Sequence, residues 1–428
     1  MRPDNRLLKK GDWLRADRFL PGENAQGEVP VPLFQQLAKP SVLHGDSLPM
    51  LPAAWPHRLP WGLLAAALGL TVLGWCGIAR SEELDDGTGH FLAQQVVWTL
   101  VAAGACWGVL LPSYRVISRY SYALFAVALF LLVAVYFFPA VHGTHRWLRI
   151  GRLGLQPSEF AKVAFVLALA RYLMYGENYR RFRGLLAPLA LTLVPLVLVL
   201  REPDLGTSLV FLPVLFAMLY AAGARKQDLA ALALCGIVAL PVLWTQMSRE
   251  QKSRITALFE STRPGETPSD DAYHLYQSKQ MLALGGKWGS LLAGEPVDDR
   301  AVYHLPEDHT DFVFVMIVER LGWLGAFAVL GLELLIVARS MAIAEATREP
   351  YGRITAIGLA TLVGVQALIN TAMTVGLLPI TGLSLPFVSY GGSGLLAHGL
   401  ALGLLVNIAL RPGFEVSAEP FRFVERAA

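Results

Sequence analysis

Apolar runs recur along this chain from about residue 60 to residue 410, separated by short polar breaks. Crossing a bilayer as a helix takes about 20 apolar residues. By that measure ten runs qualify: 60–79, 91–112, 120–140, 159–176, 185–200, 206–223, 229–247, 312–338, 354–376 and 394–410. The pattern predicts an all-α polytopic membrane protein of about ten transmembrane helices. A polar, Pro-rich segment 1–59 precedes the spans, and a second polar segment, 412–428, follows a membrane domain covering 60–411. No cleavable leader is read, because the first apolar run begins only near Pro60.

The longest polar break, about 248–310, lies between the seventh and eighth spans. It predicts one helix of its own. Ser269 or Asp270 can start it, Gly285-Gly286 can end it, and Ala272, Leu275, Met281 and Leu282 fall on one helical face. Such a helix is expected to lie on the membrane surface or fold back over the bundle.

Basic residues then orient the spans. Arg115, Arg119, Arg171, Arg180, Arg181, Arg183, Arg225, Lys226, Arg339, Arg348, Arg353 and Arg411 all follow even-numbered spans, and Arg2, Arg6, Lys9, Lys10, Arg15 and Arg18 precede the first. The positive-inside rule therefore predicts both termini in the cytoplasm, with segment 1–59 a largely disordered lead-in. The break 141–158 departs from the rule, carrying Arg146, Arg149 and Arg152 on the outer side. Two readings stand there: interfacial snorkelling beside Trp147, or a phosphate site.

Composition agrees with a membrane class. Hydrophobic residues make up 54% of the 428 and charged residues 16%, against about 25% charged in soluble domains. A net charge of +3 is too small to imply nucleic-acid binding. Cys76, Cys106 and Cys235 sit within apolar runs and read as small core residues, with no disulfide framework.

Candidate chemistry gathers where polar residues meet the spans. His304 to Asp311 is a polar cluster running directly into the eighth apolar run, and Asp311 stands at the water–lipid boundary. Asp311 reads as a general base raised by partial desolvation, or it or Thr310 as a plain N-cap. As a single helix, 311–338 would be about 40 Å long, more than the hydrocarbon core. Its first two turns are therefore expected in a polar vestibule, with the lipid-spanning part starting near Leu321. Glu319 and Arg320 read there as structural pairing residues.

Glu159 and Lys162 are spaced i, i+3 after the helix-start signal Gln156-Pro157-Ser158 and read as a bridging pair. Arg201 to Thr207 joins two spans through a tight turn. That turn is expected to place Arg201 and Asp204 at the surface, as a capped turn or as substrate contacts. The long Pro/Gly-punctuated stretch 377–394 is irregular backbone at membrane depth, where Ser389, Ser393 and glycine amides can offer donors to phosphate or sugar. His304, Asp308 and His309 offer a weak metal-ligand pattern; no metal site is assigned.

These motifs together resemble the RodA/FtsW/SpoVE (SEDS) family across roughly 60–410. The resemblance rests on Arg146-Trp147, Gln156-Pro157-Ser158-Glu159 with Lys162, and Pro203-Asp204-Leu205-Gly206-Thr207. It rests also on Leu305-Pro306-Glu307 followed by His309-Thr310-Asp311-Phe312, and on Asn370 through Ser393. Three positions depart from the usual pattern: the shortened Leu284–Gly289 run, Glu260-Ser261 after Arg254, and Gly394 after Ser393.

The resemblance implies a peptidoglycan glycosyltransferase of the bacterial cytoplasmic (inner) membrane, polymerising lipid II with release of undecaprenyl pyrophosphate, in elongation, division or sporulation. It implies lipid II, the growing undecaprenyl-linked glycan and a class B penicillin-binding protein as partners. Asp311 matches the family's essential aspartate, Glu159 and Lys162 its Glu–Lys pair, and Arg254 its arginine after the seventh span. Arg146, Lys162, Arg201, Arg254 and Lys279 are then candidates to neutralise the pyrophosphate. A divalent cation, magnesium or manganese, bridging that group is an open alternative. Two other functions stay open at this point: a lipid II flippase, and a non-catalytic scaffold for the penicillin-binding protein.

Overall fold

In the computed structural model, residues 59–412 are described apart from 85–89, 140–144, 151–152, 176–181, 260–269, 295–296, 298–302, 304 and 306–307. Segments 1–58 and 413–428, Ser269, His304 and Glu307 therefore lie outside the described residues.

The apolar runs fold as helices α1 Trp61–Leu84, α2 Phe91–Leu110, α3 Tyr114–Ala134, α4 Pro157–Leu173, α5 Leu186–Arg201, α6 Leu205–Ala222 and α7 Lys226–Gln246. The break after α7 holds α8 Arg249–Thr256, α9 Asp270–Gly285 and α10 Gly289–Ala293. The spans then resume as α11 Val313–Ala346, α12 Pro350–Thr374 and α13 Gly392–Leu410. Eight of the described helices are long and apolar enough to cross a membrane. The other two predicted spans, α4 and α5, are helical over 17 and 16 residues.

Local chemistry explains several boundaries. Pro157 and Pro350 occupy the first turns of α4 and α12, where a missing N–H costs nothing. Ser248 and Gln251 form a reciprocal capping box at α8. The predicted loop helix is present as α9, with Ala272, Leu275 and Met281 buried and Leu282 half-buried. The hairpin β1 Leu148–Ile150 with β2 Leu153–Leu155, antiparallel with Arg149 opposite Gly154, was not legible in the sequence. Strands of three residues are too short to show an alternating pattern.

Helix α11 is broken. Gly322 has φ 64° and ψ −150°, a conformation open essentially to glycine alone. The first segment, Val313–Leu321, has Val313 to Glu319 packed inside the protein, where the sequence led to the expectation of two turns in a polar vestibule. The Lys287 carbonyl accepts from Trp323 N at 3.2 Å, taking up an amide released by the break.

Small residues set the helix contacts. A Cβ on Gly77 would lie 2.9 Å from Ile317 Cγ1, and one on Gly74 would lie within 3 Å of the Val388 backbone. Gly399 and Gly403, spaced i, i+4 on α13, bring that helix equally close to the backbone of α2 at Ala102 and Cys106. Helix α7 differs from the rest in burying none of its residues.

Candidate active site

The irregular segment 375–391 is the floor of the site. It sits among spanning helices, so its backbone groups need partners from outside any helix or sheet. Gln366 Nε2 donates to the Ser384 carbonyl at 3.0 Å, and Asn370 Nδ2 to the Leu383 carbonyl at 2.7 Å. Gln95 Nε2 donates to the Ser389 carbonyl at 3.0 Å, and Tyr390 N to the His309 carbonyl at 2.9 Å. These three side chains and one main-chain amide thus satisfy carbonyls that no helix or sheet pairs.

Asp311 lies one residue outside the start of α11. The N-cap position is Phe312 rather than Asp311 or Thr310. Asp311 is half-buried, and its carbonyl accepts from Asn370 Nδ2 at 3.0 Å. Its carboxylate reaches across Gly382. A Cβ built on that glycine would stand 3.4 Å from Asp311 Oδ2 and 3.9 Å from Arg254 Nη1. Gly382 has φ 67°, a backbone conformation that favours glycine, while a Cβ there would meet only ordinary contacts. An acid and a guanidinium thus converge over one bare stretch of backbone.

Arg254 comes from α8, where it also pairs with Glu250 at 3.0 Å. Lys279, on α9, runs across Gly376; the neighbouring Ser278 hydroxyl donates to the Thr374 carbonyl at 2.7 Å and docks α9 on the end of α12. Two predicted cations therefore overlie two of the three positive-φ glycines of one segment, Gly376 and Gly382.

His309 forms an aromatic group at the same end. It stacks on Phe91 at 4.1 Å, meets Tyr390 edge-on at 5.5 Å and pairs with Asp308 at 3.1 Å. Among the described residues no group of three or more His, Cys, Asp and Glu side chains gathers to hold a metal ion.

Other predicted residues hold the frame. Arg146 donates through Nε to the Glu202 carbonyl at 2.6 Å and through Nη2 to the Pro203 carbonyl at 2.7 Å, clamping the turn between α5 and α6. Asp204 was expected at the surface and is buried instead, because its carboxylate caps α6 by accepting from Thr207 N at 3.0 Å. Arg201 is exposed as expected. The turn packs on the floor, a Cβ on Gly206 falling 2.7 Å from the Thr381 carbonyl oxygen.

The hydroxyls of Ser389 and Ser393 are both buried and engaged with backbone. Ser389 Oγ accepts from Leu385 N at 2.8 Å; Ser393 Oγ accepts from Gln156 N at 3.0 Å and donates to the Gly154 carbonyl at 3.1 Å. Lys162 bonds Glu159 at 2.8 Å as predicted and also donates to Gln366 Oε1 at 3.1 Å. Glu319 and Arg320 do pair structurally, through residues of α1: Glu319 with Arg80 and Arg320 with Glu83.

Known proteins are similar to this chain in sequence and in fold. The family model for the FtsW, RodA and SpoVE cell cycle proteins matches residues 58–412. The chain belongs to this family. A probable peptidoglycan glycosyltransferase FtsW of Geobacter sulfurreducens is 34% identical over 363 residues, 82% of this chain and 94% of the relative. Stage V sporulation protein E of Bacillus subtilis is 29% identical over 353 residues, 81% and 94% of the two chains.

Two solved structures are similar to this chain over nearly their whole length. A chain from a peptidoglycan synthase complex, described for its coordination of polymerization and crosslinking, has a TM-score of 0.69 at 28% identity, covering 82% of this chain and 97% of its own. The rod shape determining protein RodA of Thermus thermophilus has a TM-score of 0.60 at 27% identity, covering 82% and 96%.

Sequence reasoning missed Gln366 and Asn370 as individual participants. The signal was available: two carboxamides at i, i+4 inside an apolar run. Arg80 was missed because it falls at the very end of its run.

Proposed function

We propose that the protein is a peptidoglycan glycosyltransferase that polymerises lipid II into β-1,4-linked glycan, with Asp311 as general base. The observation that carries this reading is the convergence of Asp311 and Arg254 over Gly382. The acceptor's sugar 4-hydroxyl gives its proton to the Asp311 carboxylate, and the oxygen attacks the anomeric carbon of the lipid-linked donor. The bond from that carbon to the pyrophosphate breaks, and undecaprenyl pyrophosphate leaves with the electron pair. Displacement at an α-linked donor gives a β product in one step and needs only one carboxylate. The leaving group is already an anion, so it calls for charge stabilisation rather than a proton; Arg254 and Lys279 stand on the segment that would face it. A magnesium or manganese ion accompanying the pyrophosphate is read as part of the substrate.

The enzyme works in the bacterial cytoplasmic membrane, with both termini in the cytoplasm and the Asp311 end on the outer face. The positions of the basic residues support this orientation. Its partner is a class B penicillin-binding protein; the likeness to a chain of a synthase complex that joins polymerization to crosslinking supports that pairing.

The test uses purified full chain with lipid II in detergent micelles, alone and with a class B partner, scoring glycan on gels. A transporter has no compartments to work between in micelles. Wild type is expected to make glycan, and Asp311→Asn to lose about 100-fold or more in rate with an unchanged melting temperature. An Asp311→Asn protein that polymerises at the wild-type rate would exclude the general-base role.

A further inference from the structure

Two carboxamides one turn apart on α12 each hold a carbonyl of the site's floor. Gln366 holds Ser384 and Asn370 holds Leu383. Asn370 carries a second bond, from the same Nδ2 to the main-chain carbonyl of Asp311 at 3.0 Å. One NH2 group thus bridges the backbone of the candidate base and the backbone next to Gly382, where Asp311 and Arg254 meet.

This arrangement is not optimised for stability. Asn370 is 0% exposed, and its Oδ1 has no hydrogen-bond partner. An orphaned buried acceptor disfavours the folded state. The amide's other end of the same helix face is tied down as well. Gln366 Oε1 accepts from Lys162 Nζ at 3.1 Å, and Lys162 is held by Glu159 at 2.8 Å. An unbroken line of polar contacts therefore runs from the Glu159–Lys162 pair through Gln366 to Ser384, and from the adjoining Leu383 through Asn370 to Asp311.

We propose that Asn370 is a positioning residue, whose carboxamide sets the separation between Asp311 and the Gly382 backbone, and that the Glu159–Lys162 pair supports it by orienting Gln366 one turn away. This deepens, and rests on, the reading of Asp311 as general base. A base displaced by about 1 Å from its working position loses up to about 100-fold in rate. Substrate binding draws on other groups and is spared.

The experiment compares Asn370→Ala, Asn370→Ser and Gln366→Ala with wild type in the full chain. It reads lipid II polymerisation kinetics and hydrogen–deuterium exchange of the peptides covering 309–313 and 382–385. Asn370→Ala is expected to lower kcat by roughly ten- to a hundredfold with KM within about twofold. Asn370→Ser, which keeps one donor, recovers part of kcat. Gln366→Ala gives a smaller loss of the same kind. Exchange should quicken in those two segments and stay unchanged in α1 and α13.

The proposal is overturned if Asn370→Ala keeps wild-type kcat, or if faster exchange spreads through the bundle, which would mark a general loss of stability. Failure of the underlying reading looks different: Asp311→Asn remains active, or wild type makes no glycan with any class B partner. The exchange pattern then decides alone, local loosening at both segments upholding the positioning role and unchanged exchange removing it.

Discussion

Arg80 grips Glu319 through two parallel hydrogen bonds, Nε to Oε2 at 2.9 Å and Nη2 to Oε1 at 3.0 Å, and both side chains are buried. The pair fastens the end of α1 to the short helical segment that leads from Asp311 to the Gly322 break. A bidentate guanidinium–carboxylate pair is geometrically demanding as well as attractive, so it fixes the rotation of that segment about its axis.

Removing one partner should therefore cost far more than removing both. Arg80→Met leaves the Glu319 carboxylate without its main buried counter-charge, and a loss of about 3–5 kcal/mol is expected. Arg80→Met with Glu319→Gln should recover much of it. Thermal unfolding in detergent checks this; single and double variants of equal stability would contradict it.

Gly382→Ala should damage activity more than folding. At φ 67° an alanine costs about 1–2 kcal/mol, and its methyl would stand 3.4 Å from Asp311 Oδ2 and 3.9 Å from Arg254 Nη1. A methyl in that space displaces substrate, so polymerisation is expected to fall by roughly tenfold or more. Rate measured per folded molecule decides the matter.

Glu202 makes stability depend on pH. It is 1% exposed, and neither carboxyl oxygen has a hydrogen-bond partner. Burial first, then the charge of Asp204, push its carboxyl from 4.5 up to about 8 against the pull of Arg146. The unfolded chain releases this proton near pH 4.5, while the folded protein keeps it to about pH 8. Stability from this group is full below the lower value, declines as pH rises through the window and levels off above about 8. Glu202→Gln should flatten that decline and melt higher than wild type at about pH 8.

Asn407 provides a test at the opposite end of the bundle from Asp311. Its amide donates to the carbonyls of Val109 at 2.6 Å and Pro112 at 2.8 Å, and its oxygen accepts from Tyr114 N at 3.2 Å and from Arg411 Nη1 at 2.5 Å. Those bonds clasp the corner between α2 and α3 to the end of α13. Asn407→Leu is expected to cost about 3 kcal/mol by stranding buried partners, while activity per folded molecule stays near wild type. A selective loss of turnover in this variant would argue that the two ends are coupled.

Much of the fold was legible because hydropathy is a local property. The ten apolar runs correspond to ten helices, although α3 begins at Tyr114 rather than 120 and α11 continues to Ala346 rather than 338. Helix α9 was legible from its stop signal and apolar face. The candidate site was legible in part: Asp311, Arg254 and Lys279 do gather on one floor, and Lys162 does bridge Glu159. Asp204, Ser389 and Ser393 read in the sequence as substrate contacts or as structural support, because a polar side chain reads the same whether it faces substrate or a neighbouring amide.

By itself the sequence determined which stretches must be helical and apolar, where the chain must turn, and which residues carry charge into a region that excludes water. Burial of apolar surface and internal satisfaction of the backbone are decided within one run of about 20 residues. Only the tertiary structure decided that Arg80 would meet Glu319 across 239 positions, and that one amide on α12 would hold both Asp311 and Leu383. Hydrogen bonds act over about 3 Å, and no pattern along a chain can state which distant atoms come that close.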